Sequence, residues 1–143
     1  MIGRFFQDAG RPKNIYFCRS LREDLARHEA LLTQFRLDMR PDACVRLWNV
    51  NKELRPDAEM QFGSVRMYVE LDTGTCPYRK VVRRFKKYGK LLSDRELVVW
   101  VCLTDDRLHG LMRRGEFLNG KGVFTVLGSG VFMDMHGEKI KLC

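Results

Sequence analysis

The chain is expected to fold as an α/β protein, a mixed sheet with helices on both of its faces. Three observations predict this: two alternating stretches joined by a glycine-led turn, helix-spaced apolar stripes on either side of them in the chain, and a continuous apolar run from Leu97 to Leu103 with the character of a buried strand. A length of 143 residues suits one domain with a real core. Residues 1–19 read as an N-terminal extension and residues 20–143 as the domain.

Ser20-Leu-Arg-Glu23 has the form of a capping box, in which the serine and the glutamate satisfy each other's backbone donors. Leu21, Leu25, His28, Leu32, Phe35 and Met39 follow at helical spacing, so a first helix is expected from about Leu21 to Asp38. His28 lies in the stripe, where a histidine is more often a hydrogen-bonded core residue than a ligand. Glu29, on the stripe's edge, is better placed to reach a site. Ala43 to Val50 reads as a strand.

Asp57-Ala-Glu-Met-Gln-Phe62 and Val65-Arg-Met-Tyr-Val-Glu-Leu-Asp72 alternate polar and apolar around Gly63-Ser64, the signature of a hairpin with a two-residue turn. That turn pairs Phe62 with Val65, Glu59 with Tyr68 and Asp57 with Glu70. Opposed side chains sit roughly 4.5 to 5.5 Å apart at Cβ, where like charges repel. A divalent cation would turn the repulsion into ligation. Alternation puts Asp57, Glu59, Glu70 and Asp72 on one face and Ala58, Met60, Phe62, Met67, Val69 and Leu71 on the other. A solvated face usually mixes its signs, and this one concentrates acids.

A formal charge of +8 points to a polyanionic partner, and its location sharpens the inference. From Tyr78 to Leu92, Tyr78, Val81, Val82, Phe85, Tyr88 and Leu92 form one helical stripe, while Arg79, Lys80, Arg83, Arg84, Lys86, Lys87 and Lys90 occupy the opposite arc. Like charges at i,i+4, such as Lys80 and Arg84, destabilise a helix, so seven cations without an interleaved acid call for a partner. After the Leu97–Leu103 strand come a short helix from Asp105 to Arg114 and two short strands around Val123 to Leu127 and Val131 to Met135. The order is α-β-β-β-α-β with additions.

Several classes are excluded. Gly115-x4-Gly120-Lys121 nearly spells a phosphate-binding loop, but Gly122 replaces the Ser/Thr and the helix and strand stand in the wrong order. The tetrapeptide Arg-Pro-Asp-Ala occurs at Arg40 to Ala43 and again at Arg55 to Ala58; with no other self-similarity nearby, the first copy reads as coincidence, Asp42 having no placeable partner. Five cysteines, Cys18, Cys44, Cys76, Cys102 and Cys143, are scattered without C-x-x-C pairing, which argues for reduced, mostly buried thiols over disulfides or structural zinc. No run approaches a membrane span and the first residues lack the order of a secretory signal, so a cytoplasmic protein without a membrane partner is expected.

An Asp at the start of one hairpin strand, Glu-x-Asp ending the next and a cation-rich helix after it, in an α-β-β-β-α-β order, resemble the PD-(D/E)xK nuclease superfamily. Within it, Arg55-Pro-Asp-Ala58, Glu70-Leu-Asp-Thr-Gly-Thr75 and Arg84-Phe-Lys-Lys-Tyr88 are similar to the replication-relaxation family of plasmid and phage proteins. The resemblance covers about residues 20 to 114 and rests on the joint order of short motifs. It implies a restriction-endonuclease-like fold, DNA and other replication proteins as partners, and Mg²⁺ or Mn²⁺ held by Asp57 and Glu70, with the Leu71 carbonyl and Glu29 as candidate further ligands. The superfamily's usual lysine is replaced by Asp72. Lys80 or Arg84 could supply the missing cation, although an arginine cannot act as a base. Gly10-Arg-Pro-Lys-Asn-Ile-Tyr-Phe17 looks like the last wing strand of the winged helix that opens longer members, and its Gly-Arg-Pro resembles the centre of an AT-hook. Two functions stay open: a metal-dependent nicking or cleaving nuclease, and a catalytically silent nuclease-like fold that binds DNA or replication proteins.

Overall fold

The computed structural model of the chain describes residues 2–5, 13–16, 22–45 and 54–142. Strands β1 (Ile2–Phe5) and β2 (Lys13–Tyr16) form an antiparallel pair of their own; the rest of the stretch likened to a wing strand, residues 10–12 with the AT-hook-like turn and residue 17, lies outside the described residues. The remaining elements are α1 (Glu23–Met39), β3 (Ala43–Val45), β4 (Ala58–Phe62), β5 (Val65–Asp72), α2 (Tyr78–Leu91), β6 (Glu96–Cys102), α3 (Asp105–Met112), a 3₁₀ turn (Gly115–Leu118), β7 (Gly122–Val126) and β8 (Phe132–Met133). Six strands make one open mixed sheet in the order β3-β4-β5-β6-β7-β8, with β5, β6 and β7 parallel and the other neighbours antiparallel. Mixed α/β architecture follows as expected.

The hairpin forms in the predicted register, Phe62 opposite Val65 and Glu59 opposite Tyr68. Gly63, at φ +55°, leads the turn in a conformation that costs glycine no Cβ clash. Helices cover both faces of the sheet. On one, Leu31, Leu32 and Phe35 of α1 join Met60, Met67, Val69, Val99, Val101 and Val123 in a buried cluster. On the other, Val81, Phe85 and Tyr88 of α2 and Leu108 and Leu111 of α3 enclose Tyr68, Val98, Trp100 and Phe124, with Phe85 and Trp100 edge to face at 4.7 Å. The acid-bearing face of β5 is therefore roofed by helices: Glu70 and Asp72 retain 1% and 6% of their accessible surface.

Several expectations are corrected. Helix α1 starts at Glu23 behind Arg22, which makes no side-chain cap bond; Ser20 and Leu21, and with them the capping box, lie outside the described residues. Leu25 is 43% exposed, because the buried stripe runs through Ala26, Leu31, Leu32 and Phe35. The strand expected at Ala43 to Val50 is described only as far as Val45. Of the described cysteines Cys102 is buried while Cys44 and Cys76 are half-buried, all as free thiols; Cys18 and Cys143 are outside the description. Among the described residues no helix is long and apolar enough to cross a membrane.

Candidate nucleic-acid interface and acidic centre

Strand β5 carries Glu70 and Asp72 two residues apart, so both side chains point into the space beneath α2 and α3. An isolated carboxylate there would be very costly, and the chain meets that cost with partners from the covering helices. Arg84 Nη2 and Tyr88 Oη, one helical turn apart on α2, each donate to a different oxygen of Glu70. Burial raises the Glu70 carboxyl to about 7; the neighbouring Arg84 cation pulls it down, and the charge of Asp57 pushes it up. Arg84, expected on the solvent arc, stands at the arc's inner edge: its side chain is 42% exposed while its head bonds Glu70 and lies 5.4 Å from the Trp100 ring.

Asp72 is held from α3. Arg107 grips it with two bonds, Nε to Oδ1 at 3.1 Å and Nη2 to Oδ2 at 2.8 Å, and Trp100 Nε1 adds a third at 3.3 Å. The same guanidinium donates to the Cys76 carbonyl at 2.6 Å and stacks 4.3 Å from the Tyr78 ring, the first residue of α2. Asp72 Oδ1 also accepts from Gly74 N at 2.7 Å. One arginine thus ties the end of β5, the following loop and the start of α2 together. Motif reading passed over Arg107, because nothing in sequence links Asp72 to a cation on α3. Beside this pair, burial and then the Asp72 charge push the Cys102 thiol up to about 12, leaving it an inert core group.

Asp57 sits immediately before β4. Its N–H donates to Val69 O at 2.8 Å and its Oδ2 accepts from Leu71 N at 2.8 Å, with His28 Nε2 at 3.4 Å. Asp42 repeats this pattern at the start of β3: its N–H donates to Gln61 O at 2.9 Å and its Oδ2 accepts from Gly63 N at 2.7 Å. In both cases the aspartate of Arg-Pro-Asp-Ala bonds a carbonyl and the N–H two residues further along the antiparallel neighbour. The repeat is no coincidence, then, and Asp42 has a partner. His28, read as a core residue, is the α1 side chain that meets Asp57; Glu29, the preferred candidate, is half-buried beside it. Glu59, the fourth acid, pairs with Arg66 at 3.0 Å.

Outside this centre, α2 presents Arg79, Lys80, Arg83, Lys86, Lys87 and Lys90 to solvent, as expected for six of the seven cations. Its apolar stripe, with Val81, Phe85 and Tyr88 buried, fixes that face outward. The discarded phosphate-loop match is also seen in its true setting: α3 precedes it, its first four residues form a 3₁₀ turn, β7 follows, and Lys121 Nζ donates to the Leu92 carbonyl.

As arranged, the donors do not match a hard divalent cation, which takes one or two accessible carboxylates and keeps several waters. Glu70 is sealed and bonded to a guanidinium, Asp72 is gripped by another, and the bonded oxygen of Asp57 serves a backbone N–H. Among the described residues no group of three or more His, Cys, Asp or Glu side chains is gathered to hold a metal. Compared with protein-family models, curated proteins and solved structures, the chain matches none.

Proposed function

We propose that this chain is a DNA-binding module on a nuclease-like α/β fold, in which the acidic centre serves as internal scaffolding for a phosphate-contacting helix. One observation carries the reading. Glu70, which the nuclease resemblance makes a metal ligand, is bonded to Arg84 and Tyr88, residues of the same helix that displays six cations to solvent. The acids neutralise inward-facing cations, and the outward ones stay available to a polyanion. The resemblance to replication-relaxation proteins favours DNA of a plasmid or phage replication system as that polyanion.

The test is a salt titration of DNA binding. Affinity is expected to fall linearly in log salt, by about 0.9 per phosphate neutralised, and Arg83→Gln with Lys87→Gln should lower the slope by up to about 2. A salt-independent affinity would remove the helix from the interface.

A second reading, a metal-dependent nuclease, is favoured by one feature: Asp57 is near enough for its charge to act on Glu70. In that reading Asp57 and Glu70 would hold the cation, which would supply a polarised water, and Arg84 would steady the negative charge that develops at phosphorus.

A further inference from the structure

Resting on the DNA-binding reading above, we infer that the exposed face of α2 fits the sugar-phosphate surface of double-stranded DNA without regard to base sequence. The exposed side chains of α2 are Arg79, Lys80, Arg83, Lys86, Lys87, Lys90 and Leu91. At 3.6 residues per turn and 1.5 Å per residue, the six cations fill an arc of about 120° over about 17 Å of helix. That is a narrow strip of charge. Four of the six are lysines, compact charges on flexible stems that suit phosphates better than the fixed fork geometry of a guanine edge.

The strip offers no amide to read adenine and no carboxylate to accept from cytosine, the pairings on which most other base readout depends. It offers no stacking platform either, which sequence-tolerant single-strand binding needs. Phe85 and Tyr88 are buried in the core, Tyr78 is half-buried with the Arg107 and Arg114 guanidiniums 4.3 and 3.9 Å from its ring, and Phe117 lies under Lys86 Nζ at 4.7 Å. Charge density then decides for the duplex, which carries a phosphate per roughly 1.7 Å of axis, twice that of one strand.

The strip is also held rigidly. Glu70 fixes the middle of α2 through Arg84 and Tyr88, Arg107 fixes its start through the Cys76 carbonyl, and its end is tied by Asn119 Nδ2 to Gly89 O at 3.0 Å and by Lys121 to Leu92 O. A preorganised backbone loses less entropy on binding, leaving flexible lysine stems to find phosphates at whatever sequence is met.

The experiment is fluorescence anisotropy of the full chain with labelled duplexes of equal length, one A/T-only, one G/C-rich and one mixed, the mixed one also as a single strand, and with labelled poly-glutamate. The duplex affinities are expected to agree within about fivefold, the low end of what one good base contact discriminates. The single strand and poly-glutamate should bind more weakly, and Arg83→Gln with Lys87→Gln should weaken all three duplexes alike. A duplex preferred beyond that margin, a single strand or poly-glutamate bound as tightly as duplex, or a folded double variant with unchanged duplex affinity would each overturn the inference while DNA binding stood. Absence of any DNA binding at low salt overturns the DNA-binding reading itself, and the inference with it.

Discussion

Asp42 and Asp57 show how one residue's role depends on what its carboxylate meets. Each starts a strand by accepting from a backbone N–H two residues beyond the carbonyl that its own N–H bonds. Asp57→Ala should therefore cost about 1 to 2 kcal/mol and Asp42→Ala about 1 kcal/mol or less, its site being more exposed, both read by denaturant unfolding. Asp57→Asn keeps an accepting oxygen and should stay near wild type, with no response to Mn²⁺ in either protein. If instead Mn²⁺ raises the wild-type Tm and Asp57→Asn abolishes the rise, ligand linkage requires a metal site and the second reading prevails. Glu70 adds a pH signature. Its carboxyl titrates near 7 in the folded chain, chiefly through burial, against an ordinary value of 4.5. The native state then holds the proton that the unfolded chain releases, so this contribution is complete below about pH 4.5 and is lost as pH rises through 7. Glu70→Gln should flatten stability between pH 5 and about 7.

Helix α2 was legible in sequence because two periodic patterns coincide in it, an apolar stripe and a cationic arc, and its boundaries came out within a residue. The hairpin was equally legible, since a side-chain period of two and a glycine turn leave one register. The meaning of its polar face was not. Alternation reports that two faces differ, but whether the polar one meets water, metal or another helix depends on crossovers that bring α2 and α3 back over β5. Arg84 illustrates the limit: it borders the arc, and only the depth of Glu70 beneath it turns its head inward. Arg107 is the element-scale consequence. Replacing it with Met leaves Asp72 buried and unpaired and should destabilise by about 3 to 5 kcal/mol, and Asp72→Asn in the same chain should recover part of that loss by removing the stranded charge. Thermal unfolding of the single and double variants checks this. Gly110 allows the same junction to close, because a methyl there would overlap the Tyr78 hydroxyl. Gly110→Ala, normally favourable inside a helix, should here cost about 1 to 3 kcal/mol.

At the scale of the molecule, the α-β-β-β-α-β order is present from α1 to β6, and this order with an acid pair on the central hairpin suggested nuclease chemistry. What the order cannot convey is how the charges are balanced. Strand β5 lays two carboxylates under the helices, and α2 and α3 answer with Arg84 and Arg107, while six further cations stand on the outer side of α2 in a chain of net charge +8. Binding and cleavage are then separable. If the centre is scaffolding, the purified chain should bind DNA and leave supercoiled and single-stranded substrates intact with either Mg²⁺ or Mn²⁺, and Glu70→Gln, whose amide oxygen can still accept from Arg84, should keep most of its DNA affinity because the outward cations are untouched. If the centre is catalytic, cleavage should appear with metal, vanish in Glu70→Gln, and drop by about 10² to 10³ in Arg84→Gln, the scale of losing one electrostatic donor to developing charge. Activity that persists in Glu70→Gln comes from a contaminant and leaves the scaffolding assignment standing. The scaffolding outcome is the expected one, since Asp72 stands where the nuclease resemblance calls for a lysine and is itself bonded to a cation from α3.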